Sequence, residues 1–151
     1  MIPFVEMTAS ESSTHSGMAS RALTASASNT WPGTCTHTAS ESQAWWKVVL
    51  SGAWHVSYVV LTNRAGCCPD RLQNIDVYVG SVRCATGVTI AAGATQTVPC
   101  VGTGSEIKLQ HQGTNYLTLC GFQAGGTQAA MPTYIRPAYI CYRVFACALL
   151  M

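Results

Sequence analysis

The chain has 151 residues, a net charge of +2 and only 9% charged side chains against 48% hydrophobic ones. That length bounds it to one domain with a sizeable core. So sparse and balanced a charge, with no block of like sign, excludes a nucleic-acid surface built on phosphate contacts.

Taken in chain order, the first residues Met1-Ile2-Pro3-Phe4-Val5-Glu6 lack the basic flank and apolar run of a signal peptide, while eight cysteines point to an oxidising compartment and so to a secreted, extracellular protein. The stretch before Trp45 is small, polar and loop-like, and a long irregular region in a small domain is usually functional. Trp46-Lys47-Val48-Val49-Leu50 reads as a strand, Ser51-Gly52 as a turn, and Val56-Ser57-Tyr58-Val59-Val60-Leu61-Thr62 as a second strand rich in β-branched and aromatic residues. Ile75-Asp76-Val77-Tyr78-Val79-Gly80 alternates cleanly; Glu106-Ile107-Lys108-Leu109-Gln110 and Tyr116-Leu117-Thr118-Leu119-Cys120 each put two apolar residues on one face. No long helical period appears, so the fold class is all-β, a sandwich or barrel. Gly125-Gly126-Thr127-Gln128 reads as a linker, which divides the chain into a domain over 1–124 and an apolar extension over 125–151. The apolar run at 144–151 is far shorter than the roughly 20 residues that span a bilayer. No transmembrane segment is expected; an added strand or an assembly segment is.

The residues that carry chemistry lie in Thr62-Asn63-Arg64-Ala65-Gly66-Cys67-Cys68-Pro69-Asp70-Arg71. Adjacent cysteines can close into a small disulfide ring, a flat apolar knob, here flanked on each side by an arginine whose fork donates to neutral oxygens. A sugar, with one apolar face and a rim of hydroxyls, suits such a surface. Distant pairing of each cysteine, with Arg64 and Arg71 in ion pairs to Asp70 or Asp76, is the alternative. Trp45 and Trp46 read as core and interface, and His15, His55 and His111 lack metal-ligand spacing.

Several segments together resemble the F-type lectins, the fucose-binding fucolectin family, over roughly residues 5 to 124. They are Ala9-Ser10-Glu11-Ser12-Ser13, Gly33-Thr34-Cys35-Thr36-His37-Thr38, Trp45-Trp46-Lys47-Val48, the stretch from Thr62 through Cys67-Cys68 to Arg71-Leu72, and Leu117-Thr118-Leu119-Cys120. The resemblance implies a jelly-roll β-sandwich with a sugar site in loops at one end. It implies that His37, Arg64 and Arg71 hold fucose, that a Cys67–Cys68 disulfide packs on the ring, and that Trp31 walls the fucose methyl group. It also implies the disulfides Cys35–Cys120 and Cys84–Cys100, and leaves Cys141 and Cys147 outside the pattern, either free, paired across chains or paired through a turn.

Two departures stand out. Gly66 replaces an acidic residue common in the family. The family's calcium loop corresponds here to Arg21-Ala22-Leu23-Thr24-Ala25-Ser26, which has no carboxylate, and Cys120 is followed by Gly121 rather than an acid. Calcium takes six to eight oxygens, usually including carboxylates, so no bound metal or other cofactor is expected. The expected partners are fucosylated glycans and further copies of the chain, with the extension as the contact. The alternative function is a structural, self-assembling extracellular protein that reuses the lectin fold. An enzyme is not expected: there is no nucleophile elbow, no phosphate-cradling glycine loop, and only six acidic residues from which to place two carboxylates.

Overall fold

The computed structural model describes residues 1–24, 29, 33–130, 139–142 and 146–149. In chain order its strands are β1 (Met7–Glu11), β2 (Glu41–Ser42), β3 (Trp45–Thr62), β4 (Ile75–Val79), β5 (Val82–Val88), β6 (Thr95–His111), β7 (Thr114–Asn115), β8 (Gly121–Gln128), β9 (Tyr139–Tyr142) and β10 (Ala146–Leu149). The only helical elements among the described residues are short 3-10 turns at Phe4–Glu6, Ala19–Ala22 and Pro69–Leu72. None of its helices is long and apolar enough to cross a membrane.

The architecture rests on two long antiparallel strands. The first half of β3 pairs with β1 on one side and with the second half of β6 on the other; its second half pairs with the first half of β6 and with β8. β6 hands on to β4, and β4 to β5. Both long strands therefore pass from one layer of the sandwich to the other. The bend falls at register shifts between Val49 and Trp54 and between Val56 and Tyr58, where a bulge adds twist and re-aims the strand. Ser51-Gly52, expected to be a turn between two strands, lies inside β3 instead. Gly52 does take the left-handed φ of +104° that a turn would want, but the partner strand continues past it, and the positive φ serves the bend.

The two layers face each other across Trp46, Val48, Ile107 and Leu109 on one side and Val59, Leu61, Phe122 and Ala124 on the other, all fully buried. The Trp46 and Phe122 rings lie 4.8 Å apart, and the indole N–H donates to Ala19 O at 2.9 Å. This is the jelly-roll β-sandwich that the sequence led us to expect.

Two segments differ from their sequence reading. Residues 125–128, read as a linker, are the second half of β8, in register with β3 from Tyr58 to Trp54. Their glycines answer to packing: a Cβ on Gly125 would meet the Tyr58 ring at 2.1 Å, and one on Gly126 would meet His55 O at 2.3 Å. Residues 116–120, read as a strand, form no regular strand; they pair with a loop, and that pairing builds the site.

Candidate functional site

Residues 35–38 run against residues 117–120. Thr36 N donates to Leu119 O at 2.8 Å and Thr38 N to Leu117 O at 3.1 Å. Their hydroxyls complete the ladder, accepting from Leu119 N at 3.1 Å and Leu117 N at 2.8 Å. The Cys35–Cys120 disulfide locks the end of this pairing. With Thr36 and Thr38 turned to the interior, His37 projects the other way.

A second segment covers His37 from the N-terminal side. His37 N donates to Gly17 O at 3.0 Å and His15 N to His37 O at 2.9 Å. Both Ser12 and Ser13 donate to the Glu41 carboxylate, and these bonds hold its pKa below the ordinary carboxylate value. The approach is close enough to require glycine: a Cβ on Gly17 would sit 2.4 Å from Cys35 O, a backbone atom that cannot swing aside. Gly17→Ala is therefore expected to destabilise the fold by about 1–3 kcal/mol, the usual range for overpacking. Urea denaturation measures this; an unchanged midpoint would mean the segment is not held where the structure places it.

The remaining side chains come from the loop after β3. Asn63, fully buried, organises it: its Nδ2 donates to Pro69 O at 3.0 Å and Ile90 O at 2.8 Å, and its Oδ1 accepts from Arg64 N at 2.8 Å. Gly93 N donates to Arg64 O and Ala65 N to Asn29 O, each at 2.8 Å, bracing the next turn. Gly66 at φ +94° and Cys68 at φ +63° then bend the chain back on itself. Cys67 and Cys68 are joined as a disulfide at the exposed apex. Pro69 opens the 3-10 turn that returns Arg71 to the histidine loop.

The two loops meet at Arg71. Its Nη1 lies 2.7 Å from His37 Nε2, and its guanidinium sits 4.4 Å over the Tyr116 ring. Tyr116 meets the His37 ring edge-on at 5.1 Å, and His15 lies 5.2 Å from His37 and 6.1 Å from Tyr116. Since a guanidinium only donates, Nε2 is the acceptor. His37 is then neutral, with its proton on Nδ1, donated to Thr38 O at 2.8 Å. Burial pushes the His37 pKa below 6.5; the Thr38 bond opposes this, and the charges of Arg71, His15 and Arg64 reinforce it. Arg64 is only 6% exposed; burial and the neighbouring Arg71 both lower its pKa. His37, Arg64 and Arg71 thus gather at one end of the sandwich.

The acids weighed as ion-pair partners are committed elsewhere. Asp70 accepts from Asn115 Nδ2 at 2.9 Å. Asp76 accepts from Arg83 at 3.2 Å and from Thr86 and Gln112 at 2.7 Å. Trp31 lies outside the described residues. Sequence reasoning missed Tyr116, His15 and Asn63. Tyr116 carried a faint signal: it stands one residue outside the Leu117/Leu119 alternation, at the end that opens toward the site.

The His37 tautomer gives a pH prediction. With its folded pKa under 6.5, the unfolded chain binds a proton first as pH falls, so this residue's contribution to stability is intact above 6.5 and is lost as pH falls through the folded pKa. We expect an NMR titration of the His37 ring to show a midpoint below 6.5, and the melting temperature of His37→Gln to fall less than wild type between pH 6.5 and 5. A midpoint at or above 6.5 would contradict the acceptor role of Nε2.

Among the described residues, the positions that correspond to the family's calcium loop, Arg21 to Thr24, offer no carboxylate, and Gly121 follows Cys120. A Cβ on Gly121 would meet Thr62 Oγ1 at 2.9 Å, so a larger residue there would have to displace that side chain. Ala22 is fully buried, and Arg21 Nη1 donates to Ser16 O at 3.3 Å, bringing a cation to the neighbourhood. Among the described residues no group of three or more His, Cys, Asp or Glu side chains is placed to hold a metal.

The sandwich, with its loop site at one end, is that of the galactose-binding-like domains. The chain is a member of the F5/F8 type C family of NedA-like, galactose-binding domains, whose model matches residues 22–119. It is 30% identical over 82 residues to fucolectin of Anguilla anguilla, covering 48% of this chain and 52% of that one. It is 31% identical over 96 residues to fucolectin-6 of Anguilla japonica, covering 58% and 52%. The chain thus spans about half the length of the curated relatives it matches. Among solved structures it is similar to an F-lectin from the serum of striped bass, Morone saxatilis, with a TM-score of 0.78 and 28% identity over 84% of this chain and 47% of that one. It is also similar to the lectin domain of lectinolysin, solved with Lewis b antigen, with a TM-score of 0.69 and 25% identity over 85% and 97%. The resemblance to the F-type lectins drawn from the sequence holds, and these relatives are lectins rather than enzymes.

Proposed function

We propose that this chain is a carbohydrate-binding lectin domain that takes a terminal fucose of extracellular glycans between His37, Arg64, Arg71 and the Cys67–Cys68 disulfide. The observation that carries this reading is the 2.7 Å approach of Arg71 to His37 over the face of Tyr116, formed by two loops distant in sequence. Fixed guanidinium donors suit neutral hydroxyls and the ring oxygen, and the exposed disulfide offers an apolar face to a sugar ring. Trp31 is the proposed wall for the fucose methyl group. The names of the similar proteins, fucolectins and a Lewis b-binding lectin domain among them, support fucose over other hexoses.

Calcium is not required in this reading, because the loop over 21–26 supplies no carboxylate. A glycan array run with and without a chelator tests both points. Selective retention of fucosylated glycans, unchanged by the chelator, is expected. Equal binding to unfucosylated glycans would overturn the sugar assignment, and loss of binding with the chelator would overturn calcium independence.

A secreted, homo-oligomeric lectin domain that runs to the end of β8, with residues 131–151 as its assembly segment, completes the proposal; several weak sites on one assembly gain avidity without new contacts. The β9–β10 hairpin favours a second reading, self-assembly as the main role. Light scattering of the chain with and without residues 131–151 separates them: an assembled full chain and a monomeric truncation that still binds sugar support the lectin.

A further inference from the structure

The sequence leaves Cys141 and Cys147 open. Six residues apart on one strand, they share a face and cannot reach each other. The structure changes that premise, because residues 139–142 and 146–149 are two antiparallel strands. The register pairs Tyr142 with Ala146, Cys141 with Cys147, Ile140 with Ala148 and Tyr139 with Leu149. The two cysteines occupy directly opposed positions.

We propose that Cys141 and Cys147 close an intrachain disulfide across this hairpin. Three arguments converge. Opposed residues of an antiparallel pair have Cα atoms about 4.5 or 5.5 Å apart, depending on their place in the ladder, and both values lie within the roughly 4.4–6.8 Å that a disulfide bridges. The parity is complete: of eight cysteines, six are joined as Cys35–Cys120, Cys67–Cys68 and Cys84–Cys100, which leaves these two. An isolated two-stranded hairpin is marginal in water, and a cross-strand bridge is what would hold such a short one in register. The bridge also bears on assembly, since cysteines paired within one chain do not link two chains.

The chemistry is ordinary exchange with a disulfide donor, which the other three bridges require as well. One cysteine thiolate attacks the donor disulfide and expels one donor thiolate, leaving a mixed disulfide. The second cysteine thiolate attacks the protein sulfur of that bond and expels the other donor thiolate. Two protons and two electrons pass from the cysteines to the donor, which leaves as a dithiol.

The test is thiol counting on the full chain made in an oxidising compartment, unfolded without reductant and treated with N-ethylmaleimide. Intact mass is expected to show no adduct, and unreduced peptide mapping to show a fragment joining the segments that hold Cys141 and Cys147. Cys141→Ser is expected to gain one adduct, on Cys147, and the double variant Cys141→Ser/Cys147→Ser none. Two adducts on the wild type at these positions would overturn the proposal. So would a reductant-sensitive dimer joined through them, or a fragment joining either one to Cys35, Cys67, Cys68, Cys84, Cys100 or Cys120. The readout is independent of sugar binding, and either result leaves the lectin reading to its own test.

Discussion

Arg71→Ala is expected to abolish retention on immobilised fucose while the chain stays folded. Arg71 carries the loop after β3 onto the histidine loop: it donates to His37 Nε2 at 2.7 Å and covers the Tyr116 ring at 4.4 Å. A hydrogen bond from a charged donor contributes about 1.5–3 kcal/mol, and each 1.4 kcal/mol is tenfold in affinity. Losing the proposed donor to the sugar, together with the contact that orients His37, therefore predicts a drop of a hundredfold or more. Stability should change little, because Arg71 is partly exposed and its backbone still accepts from Thr118 N at 3.4 Å. Arg71→Lys is the control. An ammonium keeps the charge but has neither the planar fork nor the flat face that stacks on an aromatic ring, so it should recover only a small part of the binding. Calorimetry with a fucosylated trisaccharide, paired with thermal melts, reads both quantities. Affinity of Arg71→Ala within threefold of wild type would place the sugar elsewhere.

What the sequence disclosed follows from how far each feature acts along the chain. Alternation is local, so the strands around Val77 and Ile107 were visible, and with them the all-β class. The turn signal at Ser51-Gly52 was also visible, but whether it ends a strand or bends one depends on β6, some 50 residues away, which no window around Ser51 contains. The same holds for Gly125 and Gly126, which read as a linker until the Tyr58 ring is laid across them. At the site, the adjacent cysteines between Arg64 and Arg71 marked one loop, because those types are unusual together; His37 entered only through the resemblance to the F-type lectins. Tyr116, His15 and Asn63 carried no such mark. Tyr116 and His15 enter through contacts between segments distant in sequence, and Asn63 acts by binding carbonyls of Pro69 and Ile90, which no local pattern announces.

The three disulfides of the sandwich should separate by loop length, and this gives the largest expected effect on stability. Cys35 and Cys120 are 85 residues apart, Cys84 and Cys100 are 16, and Cys67 and Cys68 are neighbours. If a bridge acts mainly by restricting the unfolded chain, the first is worth about 4.6 kcal/mol and the second about 3; the third closes no loop and adds almost nothing. Against a total stability of about 5–15 kcal/mol, the double variant Cys35→Ala/Cys120→Ala is expected to be largely unfolded at 37 °C. It should lose sugar binding as well, since the bridge fixes the ladder between residues 35–38 and 117–120 that aims His37 and Tyr116. Cys67→Ser/Cys68→Ser should do the reverse, melting within a few degrees of wild type while losing the apolar surface offered to the sugar. Equilibrium unfolding in urea and fucose calorimetry on both double variants decide the matter. Loss of stability from the Cys67/Cys68 variant equal to that from the Cys35/Cys120 variant would mean that the exposed bridge shapes the loop rather than the ligand surface.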